Sequence, residues 1–296
     1  MPYIIDEATV VRDGAVKRCS LVIAHNRIDY IDEQTAMYRW VRMPVGEFVM
    51  TPGHVMLDFS FSNPRPFSEF KTYMQQHFLA KGCTTLLAVC DVRYEKQLPD
   101  ALQHLRVHLL NSPVDYFIGV KIPLRTLTPS FVRACKRLRI PVLFIELTGD
   151  EPLETLAWGW MYDTFASYPL PLVPYWLTPP TKQAEQQWQY VLAHERIPFL
   201  PFALKERVPL ALDVLKKIGI YPQKGDIRIG GEVDYNLYAK SNLVAETFTV
   251  DYDKHVPLIT VHNGKVMKAG DELFFPPGFG RERIVRAPGM FTANFT

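Results

Sequence analysis

The sequence predicts an α/β protein: a trimmed or distorted TIM-like (β/α) barrel with a small composite β-sandwich domain formed by both termini. Two observations predict this fold. Both ends of the chain alternate apolar and polar residues with the period of β-strands. The middle alternates short apolar runs with amphipathic helical stretches, which is typical of parallel βαβ units. The predicted domains are residues 1–50 together with 226–296, and residues 51–225.

The composite domain is predicted from strand patterns that lie far apart in the chain. Near the start, "YIIDEATVV", "DGAVKRCSLVIAHN" and "RIDYIDE" alternate, and Asp13-Gly14 is a strong signal for a hairpin turn. Near the end, "DIRIGGEVDYNLYAK", "ETFTVDYD" and "PLITVHNGKVMKAGD" follow the same pattern, with Asn263-Gly264 as a second turn. Because neither end shows a clear helix, one β-domain built from both ends is expected.

The barrel is predicted from buried strands in the middle of the chain. One strand lies around Met56, and the others are "CTTLLAVCD", "VDYFIGVKIPL", "IPVLFIEL", "LPLVPYWL" and "IPFLPFAL". Helical stretches separate them, so six or seven βα units are expected. A complete eightfold barrel takes roughly 250 residues. The middle segment is shorter, so the barrel must lack units.

Composition excludes several classes of partner. The chain has 296 residues, of which 48% are hydrophobic and 22% charged, and its formal net charge is +2. No face or tail concentrates basic residues, so no nucleic-acid partner is expected. No secretory signal and no apolar run of about 18 residues is visible, so no membrane partner is expected. The four cysteines show no metal-binding spacing, which indicates buried free thiols and a cytoplasmic location.

Several stretches together resemble the amidohydrolase superfamily, in particular its dihydroorotase and dihydropyrimidinase (hydantoinase) branch. "TPGHVMLDFSF" is similar to the family's first barrel strand, "FLAKGCTTLLAVCD" to its second, and "IPVLFIELTGD" to its fifth. The most specific match is "LKKIGIYPQKGDIRIGGEVDYNLY", in which Gly225, Gly230, Glu232 and Asp234 fall on the family's positions. The resemblance implies a barrel with a β-sandwich. It also implies hydrolysis of a cyclic amide or another C–N bond by a metal-bound hydroxide.

The metal ligands that the resemblance implies are missing. The family has two His on the first strand, and an alignment counted from Pro52-Gly53 puts Asp58 and Ser60 at those positions. The His of the fifth strand is replaced by Ile145. We therefore expect no metal and no cofactor. His104 and His108 lie four residues apart on one helix, but without a third ligand they are expected to be surface residues.

Two functions remain open from the sequence. The first is an amidohydrolase-like protein without a metal centre that is non-catalytic and binds a small molecule or a protein partner. The alternative is a metal-dependent hydrolase of cyclic amides, dihydroorotase-like, with a rearranged site. For that site the catalytic candidates are Asp58, Lys121 and Glu146. A homo-oligomer is a further possibility, since barrels often form dimers.

A ligand would bind at the carboxyl ends of the barrel strands, where loops of parallel barrels carry their sites. The candidates for ligand binding are Lys121, Arg125 and Tyr175. Two cations without enough acidic neighbours in sequence would favour a small anionic molecule. In the competing interpretation, Lys121 pairs with Glu146, and Tyr175 with Trp176 plugs the opening.

Overall fold

The computed structural model describes residues 2–291, except residues 13, 14, 36, 243–250 and 253. The predicted Asp13-Gly14 turn and most of the strand predicted over residues 246–253 lie outside these described residues. In the described part of the chain, no helix is both long and apolar enough to cross a membrane. The four cysteines are buried free thiols, as the sequence predicts.

The described chain contains fourteen strands and six α-helices. The strands are β1 (Tyr3–Arg12), β2 (Ala15–Ala24), β3 (Arg27–Asp32), β4 (Val41–Pro44), β5 (Phe48–Pro52), β6 (His54–Asp58), β7 (Cys83–Asp91), β8 (Asp115–Pro123), β9 (Leu143–Leu147), β10 (Leu172–Trp176), β11 (Tyr235–Ala239), β12 (Ile259–His262), β13 (Lys265–Ala269) and β14 (Glu272–Leu273). The helices are α1 (Phe67–His77), α2 (Leu98–His108), α3 (Pro129–Arg137), α4 (Trp158–Ala166), α5 (Lys182–His194) and α6 (Leu212–Ile218).

Both ends of the chain form one nine-stranded sheet. Its order is β14-β13-β12-β11-β5-β1-β2-β3, with β4 beside β1. The antiparallel pair of β11 with β5 joins the two ends, with Leu237 opposite Met50. Both of these side chains pack into one core with Ile5 and Leu21. The composite β-domain predicted from the sequence is therefore present.

The middle of the chain forms a parallel sheet of five strands in the order β10-β9-β8-β7-β6. Helices α1 to α5 cover its outer face, where Met56, Ile118 and Ile145 pack against helix residues. The inner face is covered by α6 and by segments near Leu200 and Val285. The architecture is a trimmed half-barrel, as expected.

The half-barrel has fewer strands than the sequence predicts. The last predicted strand, "IPFLPFAL", makes a single bridge from Phe199 to Leu172 and does not continue. Pro198 and Pro201 flank this bridge and have no N–H to donate to a ladder, which explains why the strand stops. On the opposite edge, the backbone N–H of Arg207 donates to the carbonyl of Leu57 at 2.9 Å and thereby covers β6.

Local sequence signals set the helix ends that position the site. Thr128 caps α3 by accepting a hydrogen bond from the N–H of Phe131, and Pro129 takes the first helical position. Thr181 caps α5 in the same way through Ala184. Helix α6 ends at Gly219, whose φ of 79° is the left-handed conformation that a glycine adopts without strain.

Candidate functional site

The candidate site is the mouth of the half-barrel, which we define by five residues at the carboxyl ends of its strands: Phe59, Asp91, Lys121, Glu146 and Tyr175. Side chains alternate between the two faces of a strand. Residues two positions earlier on four of these strands, such as Val89 and Phe144, pack on the inner face. Parallel register sets Asp91 beside Lys121 and Glu146 beside Tyr175. The mouth residues therefore converge on the inner side.

Lys121 lies between two carboxylates. Its Nζ is 3.1 Å from Oδ1 of Asp91 and 3.7 Å from Oε1 of Glu146. Glu146 also forms an ion pair with Arg93. Both Lys121 and Glu146 are largely buried. The pair of Lys121 with Glu146 is present, and Asp91 on the adjacent strand supplies a second carboxylate that is distant from Lys121 in sequence.

Aromatic rings line the mouth beside these charges. Phe59 packs edge-to-face on Tyr175, with the ring centroids 4.8 Å apart. Lys121 Nζ lies 4.4 Å from the centroid of Tyr175, which is a cation–π distance. Trp176 instead packs on the outer face against the helices. The predicted plug of the mouth is therefore correct for Tyr175 and wrong for Trp176, because Phe59 takes the place of Trp176.

Asp58 is separated from the other catalytic candidates. Asp58 lies two residues after Met56, which packs on the outer face, so the Asp58 side chain points to that face as well. It is fully buried there. Oδ2 accepts hydrogen bonds from the hydroxyl of Tyr73 at 2.6 Å and from Nε of Arg207 at 2.9 Å. Oδ1 accepts from the backbone N–H and the hydroxyl of Ser60. Burial, together with the bond to Asp58, raises the pKa of Tyr73 to about 12.

The structure therefore brings together Lys121, Glu146 and Tyr175 but not Asp58. A carboxylate has about four lone-pair positions, and four donors already fill those of Asp58. Arg125 lies on the short turn after β8 and is exposed, with no ion pair to any described residue. It stands at the rim rather than inside the mouth cluster.

His104 and His108 do not form a metal site. His104 is exposed. Both ring nitrogens of His108 are already used: Nδ1 lies 2.9 Å from the carbonyl of Phe61, and Nε2 accepts from the N–H of Arg65. Burial and the nearby charge of Arg65 lower the pKa of His108, which keeps the ring neutral.

Comparison with solved structures relates this architecture to hydantoinases and dihydropyrimidinases. The dihydropyrimidinase from Brevibacillus agri NCHU1002 matches with a TM-score of 0.62 and 13% identity, covering 99% of this chain and 100% of that one. The L-hydantoinase (dihydropyrimidinase) from Arthrobacter aurescens matches with a TM-score of 0.67 and 9% identity, covering 96% and 99%. The chain has the hydantoinase fold. No protein-family model and no curated protein matches it in sequence, and at these identities the similarity concerns the fold.

The residues present do not fit the metal centre that the hydantoinase fold implies. Within the described residues, no group of three or more His, Cys, Asp or Glu side chains could hold a metal ion. Ile145, at the expected His position, lies in the core beneath the helices, and Glu146 is the residue of β9 that faces the mouth. The two mouth carboxylates already share the ammonium of Lys121. A cation in that position would repel a divalent metal.

A second cluster of charges, the buried network, consists of Lys224, Asp115, Glu232, Asp234 and Arg283. Lys224 is almost fully buried, and its Nζ lies 2.6 Å from Asp115, 2.5 Å from Glu232 and 2.6 Å from Asp234. Arg283 also pairs with Asp115 and Glu232. Burial alone would raise the pKa of Asp115, but the charge of Lys224 lowers it below the usual value.

This network joins the amino end of β8 to the composite β-domain. Glu232 and Asp234 are two of the positions that carry the sequence resemblance, so the most specific matching stretch has a structural role. Sequence reasoning missed Asp91 and Arg93 at the mouth, and Tyr73 and Arg207 around Asp58. Of these residues, only Asp91 could have been placed at the mouth from the sequence, because it follows Val89 by two residues on one strand and must share its face.

Proposed function

We propose that this chain is a non-catalytic binding protein built on the hydantoinase fold, and that its mouth holds a small anionic molecule. The observation that carries this proposal is the ammonium of Lys121 between the carboxylates of Asp91 and Glu146. An ammonium supplies positive charge but has no open coordination position. It cannot bind a hydroxide and lower the pKa of water as a catalytic metal does.

The geometry also favours binding over a rearranged hydrolase. A site using Asp58, Lys121 and Glu146 would need the three groups to face one substrate. Asp58 faces the outer side of the sheet and is engaged by four donors. Freeing it would leave the guanidinium of Arg207 without its carboxylate, which is unfavourable for a partly buried charge.

The charge at the mouth supports an anionic ligand. The mouth and its rim contain three cations, from Lys121, Arg93 and Arg125, and two carboxylates, from Asp91 and Glu146, which leaves a net positive charge. Arg93 is half exposed, and Arg125 has no ion pair to a described residue. A small carboxylate would gain charge-assisted hydrogen bonds from Arg125 at the rim, while the ring of Tyr175 offers an apolar surface.

The test combines catalysis with ligand binding. The purified protein, supplied in turn with Zn²⁺ and Mn²⁺, is assayed for loss of the ring absorbance of dihydrouracil and hydantoin, and no turnover is expected. Metal-dependent turnover that disappears in Glu146→Gln but persists in the exposed control Glu154→Gln would contradict the proposal.

Binding is measured by thermal shift with acetate, succinate and citrate. At least one of these anions is expected to raise the melting temperature, and Arg125→Gln or Lys121→Met is expected to abolish the shift. Arg133→Gln removes the same charge from the exposed face of α3 and should leave the shift unchanged. No shift with any of the three anions counts against the anionic ligand.

A further inference from the structure

A basic cavity of about 520 Å³ lies well away from the mouth. Its lining includes Arg283, which pairs with Asp115 at the amino end of β8. Lys121 at the mouth is six residues further along that strand, which corresponds to about 20 Å at the usual rise of a β-strand. No mouth residue lines the cavity.

The cavity is rich in uncompensated positive charge. Four arginines line it, against one glutamate: Arg27, Arg228, Arg283, Arg286 and Glu232. Arg283 and Glu232 pair with each other inside the buried network. Among the described residues, the remaining three arginines form no ion pair. Within the part of the chain that the structure describes, the lining therefore keeps three positive charges without a carboxylate partner.

Two of these arginines are held in place by backbone carbonyls. Nη1 of Arg27 donates to the carbonyl of Gly230 at 2.9 Å, and Nε of Arg228 donates to the carbonyl of Pro222 at 3.0 Å. A guanidinium has five N–H donors. These contacts therefore fix the side chains and still leave several donors available in each. Such an arrangement is preorganised for an anion.

The other wall of the cavity is apolar. Tyr221 and Phe291 pack edge-to-face, with ring centroids 5.0 Å apart, and Met290 lies on the same wall. A volume of this size is within the usual range for small-molecule sites, roughly 300–1,000 Å³. The cavity can thus hold an anionic group and an attached organic body of moderate size.

We propose that this cavity binds a phosphorylated small molecule of nucleotide size, with its phosphates held by Arg27, Arg228 and Arg286. Phosphate fits better than a single carboxylate because it carries more charge and offers several oxygens to the planar donors of arginine. The rings of Tyr221 and Phe291 then contact the organic part. This site is separate from the mouth and does not depend on the function proposed there.

Two stretches of sequence that contribute nothing to the mouth build this cavity. "DIRIGGE" supplies Arg228 and Gly230, and "GRERIVRAPG" supplies Arg283 and Arg286. Gly230 has a φ of 77°, and this turn presents its carbonyl to Arg27. The cavity forms only when these stretches meet the start of β3.

Isothermal titration calorimetry with ADP, pyrophosphate and inorganic phosphate at low salt tests the proposal. ADP is expected to bind most tightly, and its affinity should fall as salt is raised. Arg27→Gln, Arg228→Gln and Arg286→Gln should each weaken ADP binding by about tenfold or more, because each removes charged hydrogen bonds. Arg133→Gln and the mouth variant Lys121→Met serve as matched controls and should bind ADP normally.

The proposal is overturned if none of the three compounds binds, or if ADP binds equally well to the variant that combines Arg27→Gln, Arg228→Gln and Arg286→Gln. It is also overturned if Lys121→Met abolishes ADP binding while the cavity variants do not. Circular dichroism and thermal melting of each variant confirm that it is folded, and the other two single variants carry the test if one of the three is not.

Discussion

Replacing Lys224 by methionine should destabilise the protein strongly. The side chain of Lys224 is 2% exposed, and its ammonium lies within 2.6 Å of each of three carboxylates. Methionine keeps most of the volume but removes the charge. Removing one partner of a buried ion pair costs about 3–5 kcal/mol, because the remaining charges stay buried without compensation. Arg283 still serves Asp115 and Glu232, so we expect a loss within this range.

The loss should depend on pH. In the folded protein the pKa values of Asp115 and Asp234 are lowered and that of Lys224 is raised. Carboxyls with lowered pKa values stabilise the fold above their unfolded value of about 3.9 and lose this contribution as pH falls through the folded values. Without Lys224 the carboxylates repel one another until they are protonated. The difference between wild type and Lys224→Met should therefore shrink as pH falls from 7 towards 3.

Urea denaturation followed by tryptophan fluorescence and circular dichroism measures the effect. Both signals are needed, because a protein with two packed sheets can unfold in more than one step. Lys254→Met is the control: Lys254 is highly exposed and pairs with Asp251 at the surface, so its loss should cost less than about 1 kcal/mol. If Lys224→Met is as stable as this control, or if its deficit does not change with pH, the reasoning is refuted.

Three further predictions concern other parts of the fold. Tyr73→Phe removes a donor to the buried Asp58 and should lower the free energy of unfolding by about 1.5–3 kcal/mol, whereas the exposed Tyr190→Phe should have little effect in the same urea titration. Burial lowers the pKa of His54 to about 3, so its NMR signals should not titrate between pH 5 and 8; stability should fall as pH drops below about 6.5, because the unfolded chain takes up the proton first. A midpoint near 6.5 would contradict this. A chain lacking residues 1–50 should not fold, because β11 loses its partner β5; a soluble truncated protein with wild-type melting would show that the predicted composite domain boundary is wrong.

The two-part architecture could be predicted from the amino-acid sequence alone. Strand periodicity at both ends and the alternation of strands and helices in the middle are local patterns, and each depends on residues close together in the chain. The absence of His at the expected first-strand and fifth-strand positions could also be counted directly. These features need no knowledge of which strands become neighbours, so they could be predicted.

Which side chains share a site could not be predicted, because it depends on how the strands pair and pack. A shift of one residue along a strand moves a side chain to the opposite face. For this reason the sequence grouped Asp58 with Lys121 and Glu146, whereas the fold turns Asp58 towards α1 and brings Asp91 to Lys121 instead. The last predicted strand ends after Phe199, so the half-barrel has five strands. This end likewise depends on tertiary structure, because Pro198 and Pro201 interrupt pairing only where they lie in a hydrogen-bonded ladder.

Long-range charge pairing was decided at the same level. Lys224 meets Asp115 across more than one hundred residues of chain, and Arg283 meets the same carboxylate across an interval of 168 residues. An ion pair requires only that two groups of opposite charge come within a few ångströms, so the sequence allows many combinations of charged residues to pair. Burial selects among them, because an unpaired charge is excluded from the core. That selection exists only once the chain has folded.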